Sequence, residues 1–587
     1  MLQFLKYVLA TIIGLFLFFI VSFFIMVGIG SAFSSSNETT EVKESSVLKL
    51  DLNASISEIS AKADPFEEIF GEGPARIGLN QIKTTLANAK IDPKIKAISI
   101  KLEYPMAGFA TLKEIRDALI DFKKSGKPIY TYAELMTEKA IYLASVADKS
   151  YLNPAGGLEF NGLDSEITFL KGMFDKVGVK PIIFKVGDFK SAVEPYTRSD
   201  MSPENKLQVN SYLNSIANQM YGEISKSRNI PRTELDNILN KALIQSPEDA
   251  VKYKLITNVG YEDEFEDAIR GAMGLKKDAK ITYIKYGTYK DAKSLLKEGS
   301  RDNRIAVIVA EGEIISGEGN NTTIGSESFL KEIRKARKDK KIKAIVLRIN
   351  SPGGSALASD VMWREIQLTK KVKPVIASMG NVAASGGYYM AMGCDTIVAQ
   401  PNTITGSIGV FGMLFNAKEL MNNKLGITFD GVKTHDFADS PSLTREMSDA
   451  EKMLIQNSVN QIYEQFTSKA AQGRNMPIEK LKSVASGRVW TGEQAKENGL
   501  VDVLGGIDQA IEIAAKKANL KKEDYQVKYY PYPKSDFEQI MDRISKKQED
   551  AKIKEYLGVF APLAEEFKSL QRMEKIQARL PYSLEIK

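Results

Sequence analysis

The sequence predicts an α/β protein built from one domain written twice, carried on an apolar N-terminal helix. Strand-like apolar runs alternate with amphipathic helical runs through two separate stretches of the chain. The two stretches also match in one register: Asp92-Pro-Lys-Ile-Lys-Ala-Ile98 against Asp339-Lys-Lys-Ile-Lys-Ala-Ile345, and Lys127-Pro-Ile129 against Lys373-Pro-Val375, at offsets near 247. Further on, Asn153-Pro154 falls against Gln400-Pro401, Arg198 to Ser202 against Arg445 to Ser448, and Ala250 to Leu255 against Ala495 to Leu500. Chance likeness of two α/β segments would not hold one register over roughly 160 residues.

Taken in order, the chain begins with Tyr7 to Phe33, 27 uncharged and mostly apolar residues. As a helix at about 1.5 Å per residue this run exceeds the roughly 30 Å of a bilayer's hydrocarbon. A cleaved leader has an apolar core of only about 7–15 residues, so an uncleaved single-pass anchor is expected. Lys6 precedes the run, and a polar linker to Ser46 with Glu38, Glu41 and Glu44 follows it, which keeps the start of the chain in the cytosol and the bulk outside. Val47 to Leu52 alternates like a strand, and Phe66 to Gly73 reads as a surface loop. Strand Ala97 to Leu102, helix Thr111 to Lys124, strand Pro128 to Tyr132 and helix Lys139 to Ala147 follow. The same order returns as strand Ile305 to Ala310, helix Ser326 to Arg337, strand Ala344 to Ile349, helix Ala358 to Thr369, strand Pro374 to Ser378 and a helix from Ser385. The expected units are an anchor (1–33), a linker (34–46), a first repeat (47–300), a second repeat (301–530) and a tail (531–587) in which Phe537 to Phe560 has a helical pattern.

Composition excludes several functions. The 80 basic and 74 acidic residues are spread along the chain, with no basic block suited to a phosphate backbone, so nucleic acid is not an expected partner. Cys394 is the single cysteine and His435 the single histidine, which forbids an intrachain disulfide and a His-rich metal site. No metal or cofactor is expected. A nucleophilic serine would have to use His435 or find another base, and His435 reads as structural.

Chemistry concentrates in Asn381-Val-Ala-Ala-Ser385-Gly-Gly-Tyr-Tyr389, where one hydroxyl stands among small residues just before a helix. There, unpaired N–H groups and room for a substrate carbonyl coincide. Alone, the motif reads equally as tight packing with Ser385 as an N-cap. The two copies have diverged around it. The second has Asn350-Ser-Pro-Gly-Gly-Ser355 after its strand, where the first has Glu103-Tyr-Pro-Met-Ala-Gly108. Lys139 stands opposite Ser385. Conversely, Phe189-Lys190-Ser-Ala-Val-Glu-Pro195 aligns with Phe437-Ala438-Asp-Ser-Pro441, so a lysine of the first copy faces an alanine of the second. Such complementary loss is expected if one composite site takes its serine from one copy and its lysine from the other. Gly354 and Gly386 can offer backbone N–H groups to an oxyanion.

With the anchor, the repeat, Ser-Pro-Gly-Gly, Ala-Ala-Ser-Gly-Gly-Tyr, Thr405-Gly-Ser-Ile-Gly409 and Lys-Ser-Ala-Val-Glu-Pro, the whole chain resembles the signal peptide peptidase A family in its long, tandem-repeat (protease IV) form. The resemblance implies tandem Clp/crotonase-like domains of ββα units wound in a spiral, and a serine endopeptidase with a Ser/Lys dyad: Ser385 as nucleophile, Lys190 as general base, Ser407 orienting the lysine. It further implies a homo-oligomer, a tetramer by family likeness, on the outer side of the bacterial cytoplasmic membrane, degrading cleaved signal peptides and other apolar peptides. Two other readings of the residues stay open: a crotonase-like acyl-CoA enzyme using the same glycine-made oxyanion hole, and a non-catalytic membrane-held scaffold.

Overall fold

The computed structural model describes residues 2–34, 41–59, 76–320, 322–531 and 576–580. The loop Phe66 to Gly73 and the helical stretch Phe537 to Phe560 lie outside the described residues. The apolar N-terminal run is one helix, α1 (Leu2–Ser34). Its described side chains are exposed, Phe16 by 67 %. Among the described residues, no helix is long and apolar enough to cross a membrane.

The first repeat places β1 (Ser46–Asp51), α2 (Leu79–Ile91), β2 (Ile95–Lys101), α3 (Phe109–Lys123), β3 (Ile129–Met136), α4 (Glu138–Ala144) and β4 (Lys149–Leu158) in succession. Then come β5 (Lys180–Val186), the long helix α5 (Pro203–Arg228), β6 (Asn258–Val259) and β7 (Tyr283–Lys285). The sheet runs β6-β4-β3-β2-β1-β7, parallel throughout. Parallel strands are covered on both faces and therefore read as near-continuous apolar runs, as the buried run Ala97 to Ile100 does.

The second repeat repeats the plan with β8 (Arg304–Glu311), β9 (Glu313–Ile315), β10 (Thr323–Gly325), α6 (Ser326–Lys338), β11 (Ile342–Ser351), β12 (Gly353–Ser355), α7 (Ala356–Lys370), β13 (Val375–Ala384) and α8 (Gly386–Ala391). It continues with β14 (Thr396–Ala399), β15 (Ile404–Gly406), β16 (Val410–Asn416), α9 (Asp449–Gly473), β17 (Val489–Thr491) and β18 (Gln526–Tyr530). Its main sheet runs β17-β15-β13-β11-β8-β18, with β14 beside β13. Ile98 faces Ile129 in one repeat and Ile345 faces Val375 in the other, so equivalent strands pair in equivalent register.

A third sheet joins the repeats. It runs β10-β9-β12-β19-β16-β5, where β19 (Ile576–Arg579) comes from the C-terminal tail. β5 of the first repeat pairs antiparallel with β16 of the second along its whole length, from Val186 opposite Val410 to Lys180 opposite Asn416. The tail, expected to be helical, thus enters the described structure as a strand. Ile-Gln-Ala-Arg alternates in the two-residue period of a strand, and two strand edges, β12 and β16, are there to pair with it.

The repeats are also locked by buried charge. Arg348 on β11 is 1 % exposed and reaches Glu58 and Glu114 of the first repeat, both at 2.8 Å. Burial disfavours the Glu114 carboxylate, yet Arg348 and Lys83 hold it down at about 2. Arg348→Leu leaves two carboxylates without their shared cation, and breaking a buried pair typically costs about 3–5 kcal/mol. A clear fall in melting temperature with unchanged secondary structure at 20 °C, by circular dichroism, is the expected result.

Candidate active site

The chain leaves β5 at Val186 and turns back through Gly187. In that turn the Phe189 N–H donates to the Ser486 carbonyl at 3.1 Å and the Lys190 N–H to the Gly187 carbonyl at 3.2 Å. This seats Lys190 against the second repeat, where a Cβ on Gly487 would come within 2.7 Å of the Lys190 Cβ and one on Gly409 within 3.2 Å of its Cδ. Two glycines therefore make the slot that the lysine stem fills. Gln208 on α5 clamps the turn from the other side: its Nε2 donates to the Phe189 carbonyl and the Ser191 hydroxyl, and its Oε1 accepts from the Val489 N–H. Glu194 ties the same segment to the start of α5 through Ser202 and Asn205.

Lys190 is fully buried, and its Nζ meets three oxygens: Ser385 Oγ at 3.0 Å, Ser407 Oγ at 3.1 Å and the Ser407 carbonyl at 3.3 Å. Among the described residues no carboxylate pairs with it. With nothing to offset desolvation, burial alone pulls the amine from 10.5 down to about 7. A neutral amine carries two N–H bonds and one lone pair, so three oxygen neighbours match it: two acceptors and one hydroxyl that donates.

Ser385 sits between β13 and α8 with φ 53° and ψ −111°, and its side chain makes no capping bond to the helix. The hydroxyl is instead turned to Lys190. That backbone conformation is costly for a residue with a Cβ, and it is fixed by the Ser385 N–H donating to the Gly406 carbonyl at 2.9 Å and the Ser385 carbonyl accepting from the Tyr389 N–H at 2.8 Å. The glycine pair lies alongside: Gly353 has φ 100° and Gly354 φ 154°, and a Cβ on Gly353 would sit 2.7 Å from the Gly386 nitrogen. Gly386 thus packs against Gly353, the residue before Gly354 in β12. The structure brings together Ser385, Lys190 and Ser407, and sets Gly354 and Gly386 beside them. His435 is exposed, its Nδ1 3.0 Å from Thr434 Oγ1. Phe437, aligned with Phe189, is 48 % exposed.

Gln208, Gly487 and Arg488 escaped the sequence analysis. The Arg488 guanidinium stacks over Phe189 at 5.0 Å and Trp490 at 4.1 Å, closing the site from the side of β17. The run Ser486-Gly-Arg-Val-Trp490 carries the only sequence signal, a glycine–arginine turn ahead of a strand.

The sequence profile of peptidase family S49 matches residues 121–277 and 367–521, once in each repeat, and that of Clp protease matches residues 297–421. The chain is 32 % identical over 570 residues to Protease 4 of Haemophilus influenzae, covering 94 % of this chain and 92 % of that one. It is 34 % identical over 547 residues to Protease 4 of Salmonella typhi, covering 90 % and 87 %. With the chloroplastic serine protease SPPA of Arabidopsis thaliana it shares 36 % identity over 486 residues, 82 % of this chain and 70 % of that one.

Proposed function

Because the chain belongs to peptidase family S49 as a tandem-repeat serine protease, we propose that it is a membrane-anchored endopeptidase with a Ser385/Lys190 dyad, acting on cleaved signal peptides and other apolar peptides. The observation that carries this reading is the 3.0 Å approach of a fully buried lysine amine from one repeat to the Ser385 hydroxyl of the other. Ser385 Oγ attacks the substrate carbonyl while Lys190 Nζ takes its proton. The oxyanion so formed is held by the N–H groups of Gly354 and Gly386, and the Lys190 ammonium then passes the proton to the departing amine. Water, activated by the same amine, frees the acyl group. Ser407 holds the Nζ lone pair toward Ser385 by accepting its two N–H bonds.

A crotonase-like acyl-CoA enzyme would use the glycines but gives no task to a buried lysine at the serine, and a scaffold needs neither. The anchor reading is supported by α1, whose 33 residues extend about 50 Å at 1.5 Å per residue, and by the exposed phenylalanines along it. In this reading Lys6 before the run and the acidic residues after it favour a site on the outer face of a bacterial cytoplasmic membrane, in a homo-oligomer that is tetrameric by family likeness. Leader remnants, apolar and released into that membrane, meet the site there.

The test is the pH dependence of kcat/KM for a leader peptide with the detergent-solubilised full chain. A base whose amine is depressed to about 7 is protonated and inert below that pH and free above it. Activity therefore rises about tenfold per pH unit below pH 7 and levels off above it. A profile rising only toward pH 10 would mean that burial does not depress this amine, and one that falls as pH rises through 7 excludes Lys190 as the base.

A further inference from the structure

The strand beside the glycine pair is the chain's own tail. β19 lies between β12 and β16 and is antiparallel to both: Gly353, Gly354 and Ser355 face Arg579, Ala578 and Gln577, while Phe411 and Gly412 face Gln577 and Ile576. One residue on, the Leu580 N–H donates to the Pro352 carbonyl at 2.7 Å. Hydrogen-bonded pairs alternate along an antiparallel ladder, so 354 and 578 form the next such pair and the Ala578 carbonyl is aimed at the Gly354 N–H. The same oxygen would be 2.1 Å from a Cβ on Gly353 and 3.0 Å from one on Gly386. A carbonyl held there, against both glycines and beside the serine that heads α8, is where a peptide about to acylate that serine would present its own.

Without β19 the third sheet falls into β10-β9-β12 and β16-β5. Between them would be a slot one strand wide, about 9.5 Å from strand to strand, with unpaired N–H and C=O groups along both sides. Such a slot binds an extended peptide through its main chain, whatever the sequence. Side chains then add selection. Ala578 is fully buried, Leu580 is 2 % exposed in the apolar cluster that contains Ala384, Ile404 and Val489, and Arg579 turns outward to Glu313 at 3.2 Å.

We propose that residues 576–580 are a built-in pseudosubstrate, filling the peptidase cleft in the direction and register of a peptide to be cut, with Ala578 at the scissile position. The inference rests on the peptidase reading above. A tethered strand competes at an effective concentration on the order of millimolar, so incoming peptides must displace it. The tail therefore raises KM and slows acylation at low substrate, while kcat at saturation is unchanged. The occupant also describes the substrate class: an extended segment with a small residue at the scissile carbonyl and an aliphatic residue two positions beyond.

The experiment compares the full chain with a variant ending at Lys575 and with full-length Ala578→Trp, whose side chain is too large for a fully buried alanine site. The readouts are the second-order rate of Ser385 labelling by a fluorophosphonate and the kinetics on an alanine-containing leader peptide. Both variants are expected to label at least tenfold faster, with KM at least tenfold lower and kcat within twofold. A second pair, Ser355→Cys with Gln577→Cys, joins positions that face each other across the ladder; its labelling is expected to be at least tenfold slower oxidised than reduced. Labelling and KM indifferent to truncation, to Ala578→Trp and to the oxidation state overturn the pseudosubstrate while leaving the peptidase standing. Activity lost in both tail variants overturns it too, since β19 would then be a strand the site needs. Absence of Ser385 labelling in every form instead sinks the peptidase reading, and this proposal with it.

Discussion

Ser385→Ala is expected to abolish covalent labelling and to lower peptide hydrolysis by on the order of 10⁶-fold, the scale of losing a nucleophile whose partners remain. Ser407→Ala keeps the labelling and slows hydrolysis about fivefold, the worth of one hydrogen bond of about 1 kcal/mol. Distance alone does not choose between the two serines, since their hydroxyls lie 3.0 and 3.1 Å from the same amine. Position chooses. Ser385 immediately precedes Gly386, whose nitrogen faces Gly353, so an oxyanion formed at Ser385 has donors within reach. The Ser407 hydroxyl and carbonyl both take Lys190 Nζ, an arrangement that orients an amine, and the Ser407 N–H is already given to the Arg488 carbonyl at 2.7 Å. Labelling that survives Ser385→Ala and vanishes in Ser407→Ala would exchange the two roles.

The main sheets were legible because parallel strands are buried on both faces and write themselves as apolar runs; Ala344 to Ile349 falls inside β11, two residues short at each end, and Ala97 to Leu102 overlaps β2 from its third residue and overruns it by one. The third sheet was not. β12 is three residues, two of them glycine, and β5 earns its place by pairing across to the other repeat, which local pattern cannot report. β19 is a strand because β12 and β16 offer it edges, whereas the preceding tail pattern pointed to helix. At the site, comparing the copies singled out Ser385 and Lys190, since each copy lacks what the other carries. Gly487 and Gln208 left no such trace: one supplies space for the Lys190 stem and the other holds main-chain carbonyls, and neither task demands a reactive group. His435, read as structural, is a surface residue next to Thr434.

Lys190→Met should remove hydrolysis and at the same time make the protein more stable, a pairing that separates a catalytic lysine from a structural one. The folded protein holds this amine at about 7 instead of 10.5 by burial alone. At 1.36 kcal/mol per unit, that difference costs the fold roughly 5 kcal/mol, which the isosteric apolar side chain does not incur. The sign follows from the direction of the shift. Above 10.5 the amine is neutral folded and unfolded, and the penalty is nil. As pH falls from 10.5 toward 7 the unfolded chain takes up a proton that the folded chain refuses, and stability declines; below 7 both states bind it and the loss stays constant. The methionine variant is therefore expected to melt higher than the parent at pH 7, by a margin that closes as pH approaches 10.5, in scans at one heating rate. Loss of the Nζ contacts to Ser385 and Ser407 trims the gain, since two hydroxyls give up a partner, each at a cost of about 1 kcal/mol. A variant less stable than the parent at pH 7 would mean that Lys190 is charged and paired in the folded state, and a charged lysine cannot take the Ser385 proton.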